Sequence, residues 1–308
     1  MSEGWVVARF IHFAAAIAVF GMGAFRIYAF AGSPISADAR ARNVLDRSLA
    51  RATIGAALLA LLSALAIIPF TAAEMSGSDA LAFDPSTWHA VLFDTQFGHV
   101  WCWHLGFAVV LLAFAAMPRQ PWQAGAAAMA ALLLLASLGL TGHAAMDMGG
   151  GATHEINQMV HLTAAGLWLG GLVPLGVLLR RAVRTDGAEY LALARVALPH
   201  FSQIGYVAVA LLAITGTVNS VMLVGGFDAL ATTPYGRLLA VKIALFLTMV
   251  GLALGNRFRL MPRVRGPRSA IAPLRTLACS VLAEQAIGLL ILAVVSLLGT
   301  WPPANMAM

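Results

Sequence analysis

Charge is what this sequence has least of. Of 308 residues, 10% are Asp, Glu, Lys or Arg and 60% are apolar, whereas a soluble domain carries roughly 25% charged residues. That shortage excludes a water-exposed surface and makes the bilayer the solvent. The thirteen carboxylates are too few and too scattered for an oxygen-rich Mg or Ca site. Two cysteines, Cys102 and Cys279, give no disulfide framework. They fall in opposite leaflets of the expected fold, beyond the roughly 7 Å Cα separation that a disulfide tolerates. No G-x-S-x-G, H-E-x-x-H or P-loop pattern is present, so a non-enzymatic function is expected. The net charge of +6 would point to nucleic acid in a soluble chain. Here nearly all cations stand at the ends of apolar runs, and topology accounts for them.

Roughly 20 apolar residues cross a bilayer as a helix. Eight such stretches occur, at 5–31, 49–72, 97–117, 121–143, 155–179, 200–224, 235–259 and 272–299. The first is far longer than a signal-peptide core of roughly 7–15 residues. It is followed rather than preceded by arginines, so it reads as a retained span. The expected fold is all-α: a single integral membrane domain of eight transmembrane helices spanning 1–308. Sixteen of the nineteen Lys and Arg lie on one side if the helices alternate. They are Arg26, Arg40, Arg42, Arg47, Arg51, Arg119, Arg180, Arg181, Arg184, Arg195, Arg257, Arg259, Arg263, Arg265, Arg268 and Arg275. The positive-inside rule makes that side cytoplasmic and places both termini in the periplasm.

The two halves, 1–150 and 151–308, resemble each other. His12-Phe-Ala-Ala-Ala matches His161-Leu-Thr-Ala-Ala, with Gly21 and Gly170 at the same offset. Thr95-Gln-Phe-Gly98 matches Thr233-Pro-Tyr-Gly236, and nine residues after each Thr stand His104 and Lys242. Four helices per unit is an even number, so the units would be parallel repeats about an axis along the membrane normal. His12 and His161 would be pseudo-symmetric partners that can face each other across it.

Histidine placement carries the chemistry. Seven of the eight histidines, His12, His89, His99, His104, His143, His154 and His161, fall in the periplasmic loops or the outer leaflet; only His200 lies at a cytoplasmic end. Met146, Asp147 and Met148 follow His143, and Met159 lies between His154 and His161. Imidazole suits both copper states and thioether prefers Cu(I). The expected metal ligands are His12, His143, His154 and His161, then Met146, Asp147, Met148 and Met159. His99, His104 and Cys102 are extra candidates. His154 and His161 stand roughly 10.5 Å apart along a helix, which fits two stations rather than one site. A single intramembrane histidine often does no more than bond neighbouring helices; seven on one side argue for more. Glu284, Lys242, Asn219 and Asn256 place polar atoms inside the membrane, where charge is costly and usually functional. They form either a transport path or, for Lys242 and Glu284, a structural ion pair.

Several strings together resemble the CopD (copper resistance D) family of bacterial inner-membrane proteins. They are Arg9-Phe-Ile-His12, Asp94-Thr-Gln-Phe-Gly-His-Val-Trp101, Thr141-Gly-His143-Ala, His161-Leu-Thr-Ala-Ala-Gly-Leu-Trp168, Thr233-Pro-Tyr-Gly-Arg-Leu-Leu-Ala-Val-Lys242 and Glu284-Gln-Ala-Ile-Gly288. The resemblance runs along nearly the whole chain. It implies copper uptake, with copper delivered by a separate periplasmic CopC-type protein. His104 stands where the family pattern has Arg. Two other readings stay open. Paired membrane histidines, His12 with His161 or His104 with His143, can be axial ligands of haem b in an electron-transfer protein. Alternatively, the periplasmic face binds copper as a chaperone or sensor without transporting it.

Overall fold

The structure is a computed structural model and describes residues 2–32, 39–118, 120–141, 151–184, 188–224, 227–266 and 271–302. All regular structure among them is helical. Eight helices are long and apolar enough to span a membrane: Glu3–Tyr28, Ala39–Ser76, Gln96–Ala116, Gln123–Leu140, Ala152–Arg184, Ala188–Val224, Pro234–Val264 and Ile271–Leu298, called spans 1–8 below. The number matches the sequence reading, but several helices overrun the apolar windows. Span 2 begins ten residues before its apolar stretch, at Ala39, and its first turns carry Arg40, Arg42 and Arg47. An apolar window marks only hydrocarbon depth. The helix continues into the headgroup layer because its backbone hydrogen bonds are satisfied internally wherever it goes. Pro69, Pro174 and Pro199 lie inside helices, which membrane bundles tolerate because neighbours re-satisfy freed backbone groups.

Two short helices were not legible in the sequence, Pro85–Phe93 and Phe227–Thr232. Each leads directly into a span through the same device. Thr95 Oγ1 accepts from Gly98 N at 2.9 Å and donates to Val91 O at 2.6 Å. Thr233 Oγ1 accepts from Gly236 N at 3.0 Å and donates to Ala229 O at 2.7 Å. These are N-caps of spans 3 and 7. A Cβ on Gly98 would strike the Val91 carbonyl, and one on Gly236 the Ala229 carbonyl. Glycine is needed at both turns because the short helix folds back onto it.

Lipid is as apolar as leucine, so close approach of small residues, not hydrophobicity, selects helix partners. Span 2 shows this: Ala57, Ala60 and Ala64 are fully buried on one face. The tightest crossing joins spans 1 and 5, where a Cβ on Gly21 would overlap the Gly170 backbone and one on Gly170 would overlap the Ile17 carbonyl. His12 and His161 each precede their glycine by nine residues, so they lie at matching heights on the two crossing helices.

The bundle has two unlike ends. At one, Arg26 Nε pairs with Asp46 Oδ1 at 2.7 Å, Arg181 Nη2 donates to Ser48 Oγ at 2.7 Å, and Arg195 Nε donates to Val264 O at 3.1 Å. These bonds tie the ends of spans 1, 2, 5, 6 and 7 into one arginine-rich layer. His200 joins the same layer through Ala29 O at 3.0 Å. At the other end Asn157 Nδ2 donates to Asn219 Oδ1 at 2.7 Å, and Asn219 Nδ2 to Gln158 Oε1 at 2.8 Å, linking spans 5 and 6. Cys102 and Cys279 are free thiols.

Candidate metal centre

His12 and His104 meet inside spans 1–4. Their Nε2 atoms are 2.9 Å apart, and both side chains are essentially inaccessible, at 1% and 0% exposure. Each ring is held from behind. His12 Nδ1 lies 3.2 Å from Ala60 O and 3.0 Å from Ser63 Oγ on span 2. His104 Nδ1 lies 2.8 Å from Ser137 Oγ on span 4. One residue from each of four helices therefore builds the centre. Trp101 lids it: its indole stacks on His104 with centroids 4.7 Å apart and is itself fixed by Nε1 donating to Ala64 O at 3.2 Å.

The hydrogen bonds favour one protonation pattern. A carbonyl only accepts, so His12 Nδ1 carries a hydrogen and donates to Ala60 O. Its Nε2 is then a lone pair aimed at His104. His104 completes the chain as the opposite tautomer: Ser137 donates to Nδ1, and Nε2–H donates to His12. The Ser137 hydroxyl has a second acceptor, Leu134 O at 2.8 Å. If it turns there, it accepts from His104 Nδ1–H instead and frees a second lone pair at Nε2. Two neutral imidazoles then face each other with lone pairs opposed, an arrangement that takes one cation between them. Backing of the distal ring nitrogen by hydroxyls and carbonyls is what orients metal-binding histidines.

The other histidines stand elsewhere. His161 does not face His12 across the axis. Its Nδ1 is 2.8 Å from Thr215 Oγ1 on span 6, and with Lys242 of span 7 it borders a cavity of about 660 Å³ lined by spans 5–8 and by Phe13 and Ile17 of span 1. The reason is helix phase: Gly21 faces span 5, and His12, nine residues or about two and a half turns away, falls on the opposite face of span 1, toward spans 2–4. His154 is buried near the start of span 5. Met159 packs on Gly139. His99 is exposed and bonds Phe93 O at 2.9 Å, and Cys102 Sγ lies 3.8 Å from Leu92 O; neither joins the His12–His104 pair. His143, Met146, Asp147 and Met148 lie outside the described residues. Among the described residues no group of three or more His, Cys, Asp or Glu converges, so the pair offers two nitrogen ligands at most. Of the two pairings considered for haem, His12 and His161 sit in different helix groups, and His104–His143 involves a residue outside the described ones.

Lys242 and Glu284 do not pair. Glu284, 2% exposed, accepts a bond from Asn256 Nδ2 at 2.5 Å beside a smaller cavity of about 90 Å³. The four polar residues expected along a path thus occupy three levels. Asn219 is near the outer amide cluster, Lys242 is beside His161, and Glu284 with Asn256 is deepest. Trp168 borders both cavities and sits in a π-helical turn, Gly166–Gly170; Asn256 opens a second π-turn, Asn256–Leu260. Such turns recur at functional sites.

Sequence reasoning underrated His104 and missed Ser63, Ser137 and Thr215. A lone hydroxyl in an apolar helix carries no signal of its own. The available clue was His104 at the same offset from a Thr-x-x-Gly cap as Lys242, which marks position 104 as an inward-facing polar site.

Residues 1–153 match the domain family described as copper resistance protein D-like, N-terminal domain, and residues 195–298 match copper resistance protein D. The chain is 34% identical over 302 residues to the inner membrane protein YebZ of Escherichia coli strain K12, covering 97% of this chain and 98% of that protein. It is 32% identical over 318 residues to copper resistance protein D of Pseudomonas syringae pv. tomato, covering 97% and 96%. It is 29% identical over 311 residues to the copper transport protein CutJ of Bacillus subtilis strain 168, where 98% of this chain matches 53% of that protein. No solved structure matches the chain. The chain belongs to the copper resistance protein D family and is a multi-pass inner-membrane protein.

Proposed function

We propose that this protein takes up copper across the inner membrane from the periplasmic side, with His12 and His104 as the buried station for the ion. The observation that carries the reading is the opposed pair of Nε2 atoms, 2.9 Å apart. Two neutral imidazoles bind copper in either state, and among the described residues neither thiolate nor carboxylate joins them. The cost of burying a charge rises steeply with its size, and Arg9 lies one turn from His12. The site therefore favours a singly charged, two-coordinate Cu(I) over a dication. Metal–imidazole bonds of roughly 2 Å require the nitrogens to separate to about 4 Å, a movement within the reach of side-chain adjustment.

The printed names of two relatives, a copper resistance protein and a copper transport protein, support copper as cargo. In this reading the arginine-rich end is cytoplasmic and both termini are periplasmic. The segment with His143, Met146, Asp147 and Met148 joins spans 4 and 5 at the outer end, where it captures copper from a periplasmic donor of CopC type. His154 and Met159 lie on the same approach. The sealed pair receives the ion when span 3 or 4 moves aside. The matched caps of spans 3 and 7 and the Gly21–Gly170 crossing support two parallel four-helix units.

Sealed vesicles containing the purified protein, supplied with Cu(I), test the proposal. His12→Ala and His104→Ala should each abolish copper accumulation while inserting as well as the parent. Undiminished accumulation in both variants refutes the station. Binding without accumulation in the parent would make the protein a copper chaperone or sensor instead.

A further inference from the structure

The cavity inside spans 5–8 holds a cation with nothing to balance it. Lys242 makes no ion pair or hydrogen bond among the described residues, and it shares the cavity wall with His161, whose Nδ1 is anchored on Thr215 Oγ1 at 2.8 Å. His161 Nε2 has no protein partner among the described residues. The remaining wall is largely apolar, and its volume of about 660 Å³ lies within the range of small-molecule sites, roughly 300–1,000 Å³. The cleft opens sideways: Val221 on span 6 and Leu247 on span 7 line it and are 68% and 61% exposed on the lipid-facing surface. The equivalent place in spans 1–4 is filled by the His12–His104 pair and Trp101.

These features define the occupant. Lys242 repels a metal cation, so the cleft is not a second copper station. Lys242 stands eight residues inside Pro234, roughly 12 Å along the helix. A phospholipid headgroup would have to leave the interface to reach it, and carrying charge toward the bilayer centre is costly. A ligand that dissolves in hydrocarbon, enters laterally, and presents an uncharged acceptor oxygen on a flat ring meets every condition. Trp168 and Phe246 supply aromatic walls, edge to face with centroids 6.0 Å apart. We propose that the cleft between spans 6 and 7 is a binding site for a membrane quinone, with one ring oxygen held between Lys242 Nζ and His161 Nε2 and the isoprenoid tail leaving past Val221 and Leu247. This site is independent of the copper station and stands whether or not copper is transported.

The test uses the full-length protein in lipid nanodiscs, titrated with decylubiquinone and followed by quenching of tryptophan fluorescence. Saturable quenching is expected, and Trp168→Phe should remove most of it. Lys242→Met should weaken binding tenfold or more, as should Gly216→Leu, which grows a side chain into open space beside His161 Cε1. Lys242→Gln, a milder change, keeps the test meaningful if a bulkier variant fails to fold; it should bind more weakly than the parent and better than Lys242→Met. Oleate and phosphatidylglycerol are titrated in parallel. Equal affinity in the parent and Lys242→Met, non-saturable quenching, or competition by oleate or phosphatidylglycerol at lower concentration than the quinone overturns the assignment.

Discussion

The serine behind His104 gives the sharpest test of how the pair is tuned. Ser137 Oγ lies 2.8 Å from His104 Nδ1 and 2.8 Å from Leu134 O, and its rotation selects the tautomer that frees Nε2. Ser137→Ala removes that hydroxyl without disturbing the helix, since alanine is the best helix former. Loss of such a backing group costs 10–100-fold in metal affinity, about 1.4–2.7 kcal/mol. Ser63→Ala should lie near the lower bound, because His12 Nδ1 keeps Ala60 O at 3.2 Å. The assay is competition for Cu(I) with a chromophoric chelator in detergent. The expected order of affinity is parent, then Ser63→Ala, then Ser137→Ala, with Ser137→Thr close to the parent because it retains the hydroxyl. Affinity in Ser137→Ala equal to the parent would show that the tautomer argument is wrong.

Gly21→Val forces spans 1 and 5 apart at their backbone contact. Overpacking of this kind costs about 1–3 kcal/mol, read as a lower midpoint of thermal unfolding in detergent, with Gly55→Ala, which meets open space, as the silent control. The Arg26–Asp46 pair, 2.7 Å long with side chains 11% and 33% exposed, should show a coupling of no more than about 1 kcal/mol in a double-mutant cycle; a much larger value would mean that this end is drier than it looks. Asp84 caps helix Pro85–Phe93, accepting from Ser86 Oγ, Thr87 N and Thr87 Oγ1, and these bonds hold its carboxyl below the usual carboxylate range. A depressed value means stability present at neutral pH and lost as pH falls through the folded-state value. Amide protection factors in 85–93, corrected for the intrinsic exchange rate at each pH, should therefore fall in acid, and Asp84→Asn should flatten that dependence.

Much of the architecture was readable because a bilayer imposes few solutions. Eight apolar runs became eight helices among the described residues, and Arg26, Arg181 and Arg195, three of the sixteen arginines expected on one side, bind neighbouring helix ends in one layer. The overhangs of spans 2 and 6 were invisible because polar helical turns in the headgroup layer look like loops by hydropathy. The repeat strings suggested that His12 faces His161, whereas His12 meets His104 and His161 bonds Thr215. Register along each helix follows from sequence, whereas the face that a residue presents depends on which neighbours crowd it. With Gly21 against span 5, His12 falls about two and a half turns away on the opposite face, toward His104 rather than toward His161. Ser63 and Ser137 became meaningful only once they lay within 3.0 Å of an imidazole.

X-ray absorption at the copper edge of Cu(I)-loaded protein tests the His12–His104 station most directly. Two nitrogen scatterers at roughly 2 Å, with the outer-shell pattern of imidazole rings, are expected in the parent, and His104→Ala should lose one of them. A sulfur-dominated shell, or a spectrum unchanged by His104→Ala, would contradict a copper ion held between these two rings.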